Sequence, residues 1–120
     1  MATELKRYNS SKRMSQIVEV PSGATMLYFA GQISSDRTLD LVGQMHNILN
    51  KLDGLLSEAG SDRTKIVYAM IWLADIRSRH IINPIWDTWI PESAAPARAC
   101  VEARLAEASD LIEIQIIATK

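Results

Sequence analysis

Arg98, Cys100 and Glu102 alternate along the stretch Pro96–Leu105, and Glu113 and Gln115 alternate along Leu111–Ala118. These side chains could do chemistry. A guanidinium can grip a planar anion through two parallel hydrogen bonds. A carboxylate can hold a water or take its proton, and a thiol can attack an electrophile if a base stands beside it. Both runs have a period of two, which predicts strands. In the first, Ala99, Val101, Ala103 and Leu105 share the opposite face; in the second, Ile112, Ile114 and Ile116 do. The linker Ala106–Asp110 is short, which predicts an antiparallel hairpin. Arg98, Cys100, Glu102, Glu113 and Gln115 would then point the same way. The same spacing also describes an ordinary solvated sheet face, which is the commoner case.

Cys100 has no base assigned to it. His46 lies at the edge of the first predicted helix's apolar stripe and His80 at the start of the second. A small residue on a strand is the simpler reading. Two distant histidines and one cysteine also lack any recognisable metal-ligand spacing. Trp72, Trp86 and Trp89 are most simply core or interface residues.

The 120 residues suit one domain, 1–120, opening with a polar segment, 1–13, expected to fray at its start. Hydrophobic residues make up 48%, enough for a core. The net charge of −1 argues against a broad footprint for nucleic acid. One cysteine excludes an internal disulfide, and there is no readable signal peptide or membrane-length apolar run. These features lead to the expectation of a cytoplasmic protein with no membrane partner.

Ser15–Val20 and Thr25–Gly31 read as strands, and Pro21-Ser22-Gly23-Ala24 between them predicts a hairpin. After a loop, Asp36 or Thr38 could cap a helix with an apolar stripe of Leu41, Met45, Ile48, Leu49, Leu52, Leu55 and Leu56, which Gly60 stops. Thr64–Leu73 is apolar on both faces, as in a strand covered on both sides. Asp75 could cap a second helix carrying Ile82, Ile85, Trp86 and Trp89, with Pro84 either in its first turn or kinking it.

The order β-β-α-β-α-β-β predicts an α+β fold, a mixed sheet with both helices on one face. Two helices leave the other face bare, and its apolar residues call for association with further copies.

Gly31-Gln32-Ile33 after a strand, Ala59-Gly60-Ser61 after a long helix, Pro96-Ala97-Arg98-Ala99-Cys100-Val101-Glu102 and the closing Ile112-Glu113-Ile114 resemble the RidA/YjgF family of reactive-intermediate deaminases. The likeness runs over Ser15–Ala118. It implies a chorismate-mutase-like fold, a homotrimer, and ligand clefts between subunits.

The resemblance also implies the chemistry. The substrate would be a small carboxylate-bearing 2-imino acid or its enamine, such as 2-aminoacrylate or 2-iminopropanoate, hydrolysed to a 2-keto acid and ammonia. The enzyme would be a 2-iminobutanoate/2-iminopropanoate deaminase-type hydrolase needing no cofactor. The family's arginine falls on Arg98, its carboxylate on Glu113, a helix asparagine on Asn83 and a backbone contact on Cys100. Arg98 would hold the carboxylate and Glu113 the attacking water. A serine common in the family is Ala30 here, and a tyrosine is Met14, so two ligand-holding hydroxyls are absent. Glu102 could support Arg98 or form an intersubunit pair. The alternative is a non-catalytic trimer binding a small carboxylate in the same cleft. Some relatives are described as ribonucleases or translation inhibitors, which the acidic pI of about 6.1 disfavours.

Overall fold

The computed structural model describes residues 4–120. In chain order it holds β1 (Lys6–Tyr8), β2 (Ile17–Glu19), β3 (Met26–Tyr28), α1 (Leu41–Glu58), β4 (Ile66–Leu73), α2 (Arg79–Trp89), β5 (Ala97–Glu102) and β6 (Ile112–Thr119). The main sheet runs β3-β6-β4-β5, while β1 and β2 form a separate two-stranded ribbon. It is a mixed sheet with both helices packed on one face, as expected.

β4 decides the strand order. Its residues are almost all apolar, and its backbone is best satisfied with a partner on each edge. β5 pairs with it in parallel, from Tyr68 opposite Ala97 to Leu73 opposite Glu102. β6 pairs antiparallel along the other edge, with Trp72 opposite Glu113 and Ile71 opposite Ile114. The expected hairpin between Pro96–Leu105 and Leu111–Ala118 is therefore not formed, because β4 lies between its two arms. The α2 crossover delivers β5 alongside β4, which a short linker to β6 does not prevent.

The other expected hairpin is not formed either. The chain does turn at Pro21–Ala24, where Ala24 N donates to Pro21 O at 3.3 Å and Gly23 has a φ of +84°. The arms then part. β3 takes the free edge of β6, with Met26 opposite Thr119, and β2 pairs with β1, with Ile17 opposite Tyr8. Arg7 anchors β1: its Nη1 donates to Ala95 O at 2.7 Å and its Nη2 to Thr64 O at 2.8 Å. The polar N-terminal segment thus holds a strand at Lys6–Tyr8; the expected fraying of its first residues falls on Met1–Thr3, outside the described residues.

α1 buries Met45, Ile48, Leu49, Leu52 and Leu56. Its cap is Asp40, whose Oδ1 accepts from Gly43 N at 2.8 Å. Asp36 and Thr38 are instead spent on each other one turn earlier, at 2.9 Å and 2.6 Å. Gly60, with a φ of +79°, ends the helix as expected: Gly60 N donates to Ser57 O and Ser61 N to Leu56 O, the paired bonds of a Schellman motif. Asp75 caps the 3-10 turn Ile76–Ser78 through Arg77 N at 3.0 Å, not α2 itself. Pro84 lies inside α2 rather than in its first turn.

The sheet's two faces differ sharply. Ala69, Ile71, Leu73, Ile112, Ile114, Ile116 and Ala118 are fully buried beneath the helices. Along β4 and β6 their neighbours on the other face, including Tyr68, Met70, Trp72, Gln115 and Ile117, are only half-buried. In the single chain β4 is therefore covered on one face, not on both. Tyr28, at 75% exposure, and Val101, at 40%, are exposed large apolar residues of that bare face. No helix among the described residues is long and apolar enough to cross a membrane.

Candidate functional site

The parallel register places Arg98 beside Ala69, on the helix-covered face. There α2 presents Asn83 and Trp86, both buried and three residues apart on one side of the helix. Arg98 Nη2 donates to Asn83 Oδ1 at 3.0 Å, and its Cζ stands 5.6 Å from the centroid of the Trp86 ring. The geometry is that of a cation–π shelf. Trp86 Nε1 in turn donates to Arg13 O at 2.9 Å.

Arg98 Nη1 is buried and has no hydrogen-bond partner. Burial is the main reason its pKa falls below the usual arginine value. A buried donor left unpaired costs about 1–3 kcal/mol, more when charged, which an anion docking there would recover. Asn83, the one side chain bonded to the guanidinium, is neutral.

Cys100 shares this face, opposite Ile71, and packs on the core. Burial pushes its thiol pKa above 9.0, although Arg98 and Arg79 pull the other way. His80 Nδ1 lies 2.9 Å from Arg77 O. Neither histidine hydrogen-bonds the thiol. Within the chain Glu102 does not bond Arg98: its Oε1 accepts from Ile76 N at 3.2 Å.

Glu113 stands on the opposite face, in register with Trp72. The five polar side chains expected on one face are thus divided: Arg98, Cys100 and Glu102 on the helix side, Glu113 and Gln115 on the bare side. Glu113 lies against Gly31, whose neighbour Gln32 exchanges backbone bonds with Ile114 at 2.8 Å and 3.0 Å. A Cβ on Gly31 would fall on Glu113 Oε2 and within 3.0 Å of its Cδ. The glycine here gives the carboxylate room for close approach and has no unusual φ. Ala30 is exposed, with its carbonyl accepting from Gln32 Nε2 at 3.0 Å, and Met14 is half-buried.

One chain therefore keeps Arg98 and Glu113 on opposite faces of its sheet. Three depressions in the surface, of about 700, 600 and 370 Å³, are lined by none of Arg98, Asn83, Cys100 or Glu113. Among the described residues no group of three or more His, Cys, Asp or Glu side chains could hold a metal.

The family model described as Endoribonuclease L-PSP matches residues 5–120. A RutC family protein from Haemophilus influenzae is 37% identical over 117 residues, covering 96% of this chain and 97% of that one. A solved structure of an uncharacterized Pseudomonas aeruginosa protein shares 32% identity with a TM-score of 0.77, covering 98% of this chain and 99% of that one. A member of the YjgF protein family from Neisseria meningitidis shares 30%, with a TM-score of 0.73, over 98% and 96%. The chain belongs to the Rid/YjgF family. Within it, the pattern Pro96–Glu102 acquires a structural reading: β5 carries the arginine on the face that α2 covers. Trp86 and the Arg13–Asp87 pair next to it were not anticipated. Only the four-residue step from Asn83 to Asp87 hinted at the latter.

Proposed function

We propose that the chain is a deaminase of small 2-imino acids and their enamine tautomers, working as a homotrimer with clefts between subunits. The observation that carries this reading is the buried, unpaired Nη1 of Arg98 beside neutral Asn83. A fork-shaped cation held this way suits a substrate carboxylate. Glu113, facing away from Arg98 in its own chain, would come from the neighbouring copy, and the apolar bare face supports such association.

The reaction asks little of the protein. With the carboxylate on Arg98, a protonated imine carbon is already electrophilic. Glu113 accepts a proton from water as the water oxygen bonds that carbon. The proton then passes to the nitrogen of the resulting carbinolamine, the C–N bond breaks to release ammonia as Glu113 takes the hydroxyl proton and the C=O forms, and that proton leaves with the ammonia as ammonium beside the 2-keto acid. Alignment supplies much of the acceleration. The backbone at Cys100 would orient the imine nitrogen.

A second reading, a trimer that binds a small carboxylate without turning it over, is favoured by Ala30 and Met14, which bring no hydroxyl. The net charge of −1 weighs against RNA as substrate. The deciding experiment generates 2-aminoacrylate in situ and follows pyruvate release. The wild type should accelerate release, Arg98→Ala should abolish it, and Arg98→Lys should retain little because the fork is lost. Full activity in Arg98→Ala would remove the assignment; pyruvate binding without acceleration would leave the binder.

A further inference from the structure

Asp87 is an acidic side chain close to Arg98, yet it does not pair with it. Asn83 and Asp87 are four residues apart on α2 and so occupy one stripe of its surface. Asn83 holds Arg98 Nη2 at 3.0 Å. Asp87, one turn further along, is taken by another cation: Arg13 Nε donates to Oδ1 and Arg13 Nη2 to Oδ2, both at 2.9 Å. Arg13 is itself fixed, because its carbonyl accepts the Trp86 indole N–H at 2.9 Å. Trp86 is also the ring beneath Arg98. One indole thus ties the Arg13–Asp87 pair to the guanidinium that it leaves unpaired.

We propose that Arg13 is a positioning residue that sequesters Asp87, keeping Arg98 Nη1 free for the substrate's carboxylate. Without Arg13, the Asp87 carboxylate would be left beside a buried cation lacking a partner. The two would then pair, and an incoming carboxylate would have to displace an internal one. The charges around Arg98 agree: Asp87 favours its positive charge, while Arg13 and Arg79 oppose it. Asp87 is held below the usual carboxylate value mainly by Arg13, with Arg98 and Lys12 adding to the effect.

This inference rests on Arg98 as the carboxylate's partner, and its test keeps the two apart. Pyruvate binding is titrated calorimetrically with the whole chain as wild type, R98A, R13A, D87N and R13A/D87N, and each is checked by its thermal melt. R13A should bind about tenfold or more weakly. D87N should bind at least as tightly as wild type. The double variant should recover to within about threefold, because the competing carboxylate is gone. Recovery is what a merely structural Arg13 would not give. An R13A/D87N protein as weak as R13A, or an R13A protein that binds like wild type, overturns the proposal while leaving Arg98 in place. R98A binding like wild type, or a wild type that does not bind, overturns the underlying reading and this one with it. If R13A does not fold, R13Q, which keeps the chain length, and R13Q/D87N are compared in the same way and judged by the same recovery.

Discussion

Glu113 lies against Gly31 so closely that a methyl group on the glycine would occupy the place of its carboxylate. The triplet Gly31-Gln32-Ile33 thus does more than end a strand: its first residue leaves the space in which the carboxylate rests. The obstacle to a larger residue is the far end of a flexible side chain, so Glu113 can move aside. Gly31→Ala should therefore cost little stability, below about 1 kcal/mol. It should cost turnover heavily, roughly tenfold or more, because a displaced carboxylate no longer aligns water. Thermal melts alongside the pyruvate-release assay check this. Unchanged turnover would mean that the Gly31–Glu113 contact is only packing.

Cys100 should be a poor nucleophile. Its thiol titrates above the ordinary value because burial disfavours the thiolate. Alkylation by iodoacetamide at neutral pH should be slower than for a free thiol. Cys100→Ser should keep most of the deaminase activity, since the proposed role uses the backbone. Loss of activity in the serine variant without loss of stability would return the thiol to the mechanism. The sign for stability follows from the raised value: above about pH 9 the unfolded thiol ionises first, so folding weakens until the folded thiol ionises as well.

Much of this architecture could be read before any coordinates. The α1 stripe, its Schellman stop at Gly60 and the alternation of β5 and β6 are local patterns, set within a turn or a strand. Strand order is not local. Alternation says that Arg98 and Cys100 share a face, and that Glu113 and Gln115 do; it does not say that the two faces are the same. That depends on β4 entering between β5 and β6 and on the register it imposes. The doubly apolar character of Thr64–Leu73 was the available sign of a central strand. β1 escaped because its anchor is Arg7 reaching carbonyls 57 and 88 residues away. The Asp40 cap was missed because Asp36 and Thr38 offered equally good chemistry four and two positions earlier.

The Arg13–Asp87 pair should also show in the acid limb of the stability curve. Asp87 is held below 3.8, first by the hydrogen bond from Arg13. A carboxylate depressed in the folded state stabilises it at pH values above the unfolded value. That contribution fades as the pH falls from about 3.8 through the lower folded value. Comparing urea melts of wild type and Asp87→Asn, the difference should be present at pH 6 and shrink below pH 4. A constant difference would show that the aspartate acts by shape, not by charge.

The division of Arg98 and Glu113 between opposite faces of one sheet allows a direct test of a shared cleft. Neither Arg98→Ala nor Glu113→Gln alone should turn over appreciable imine. Suppose each cleft takes its arginine from one copy and its carboxylate from the next. When the two variants are unfolded together, mixed in equal amounts and refolded, some clefts will join an intact Arg98 from a Glu113→Gln subunit to an intact Glu113 from an Arg98→Ala subunit. Random assembly puts about a quarter of all clefts in that state, whatever the size of the ring, because each cleft draws its two donors independently. The mixture should recover about a quarter of wild-type turnover, while each variant refolded alone stays inactive. Sedimentation of the same samples reports the assembly and should give a trimer. Assembled mixtures that recover nothing would place both groups' roles within one chain, a variant active on its own would deny the replaced group a role, and a monomer at micromolar concentration would remove the cleft altogether.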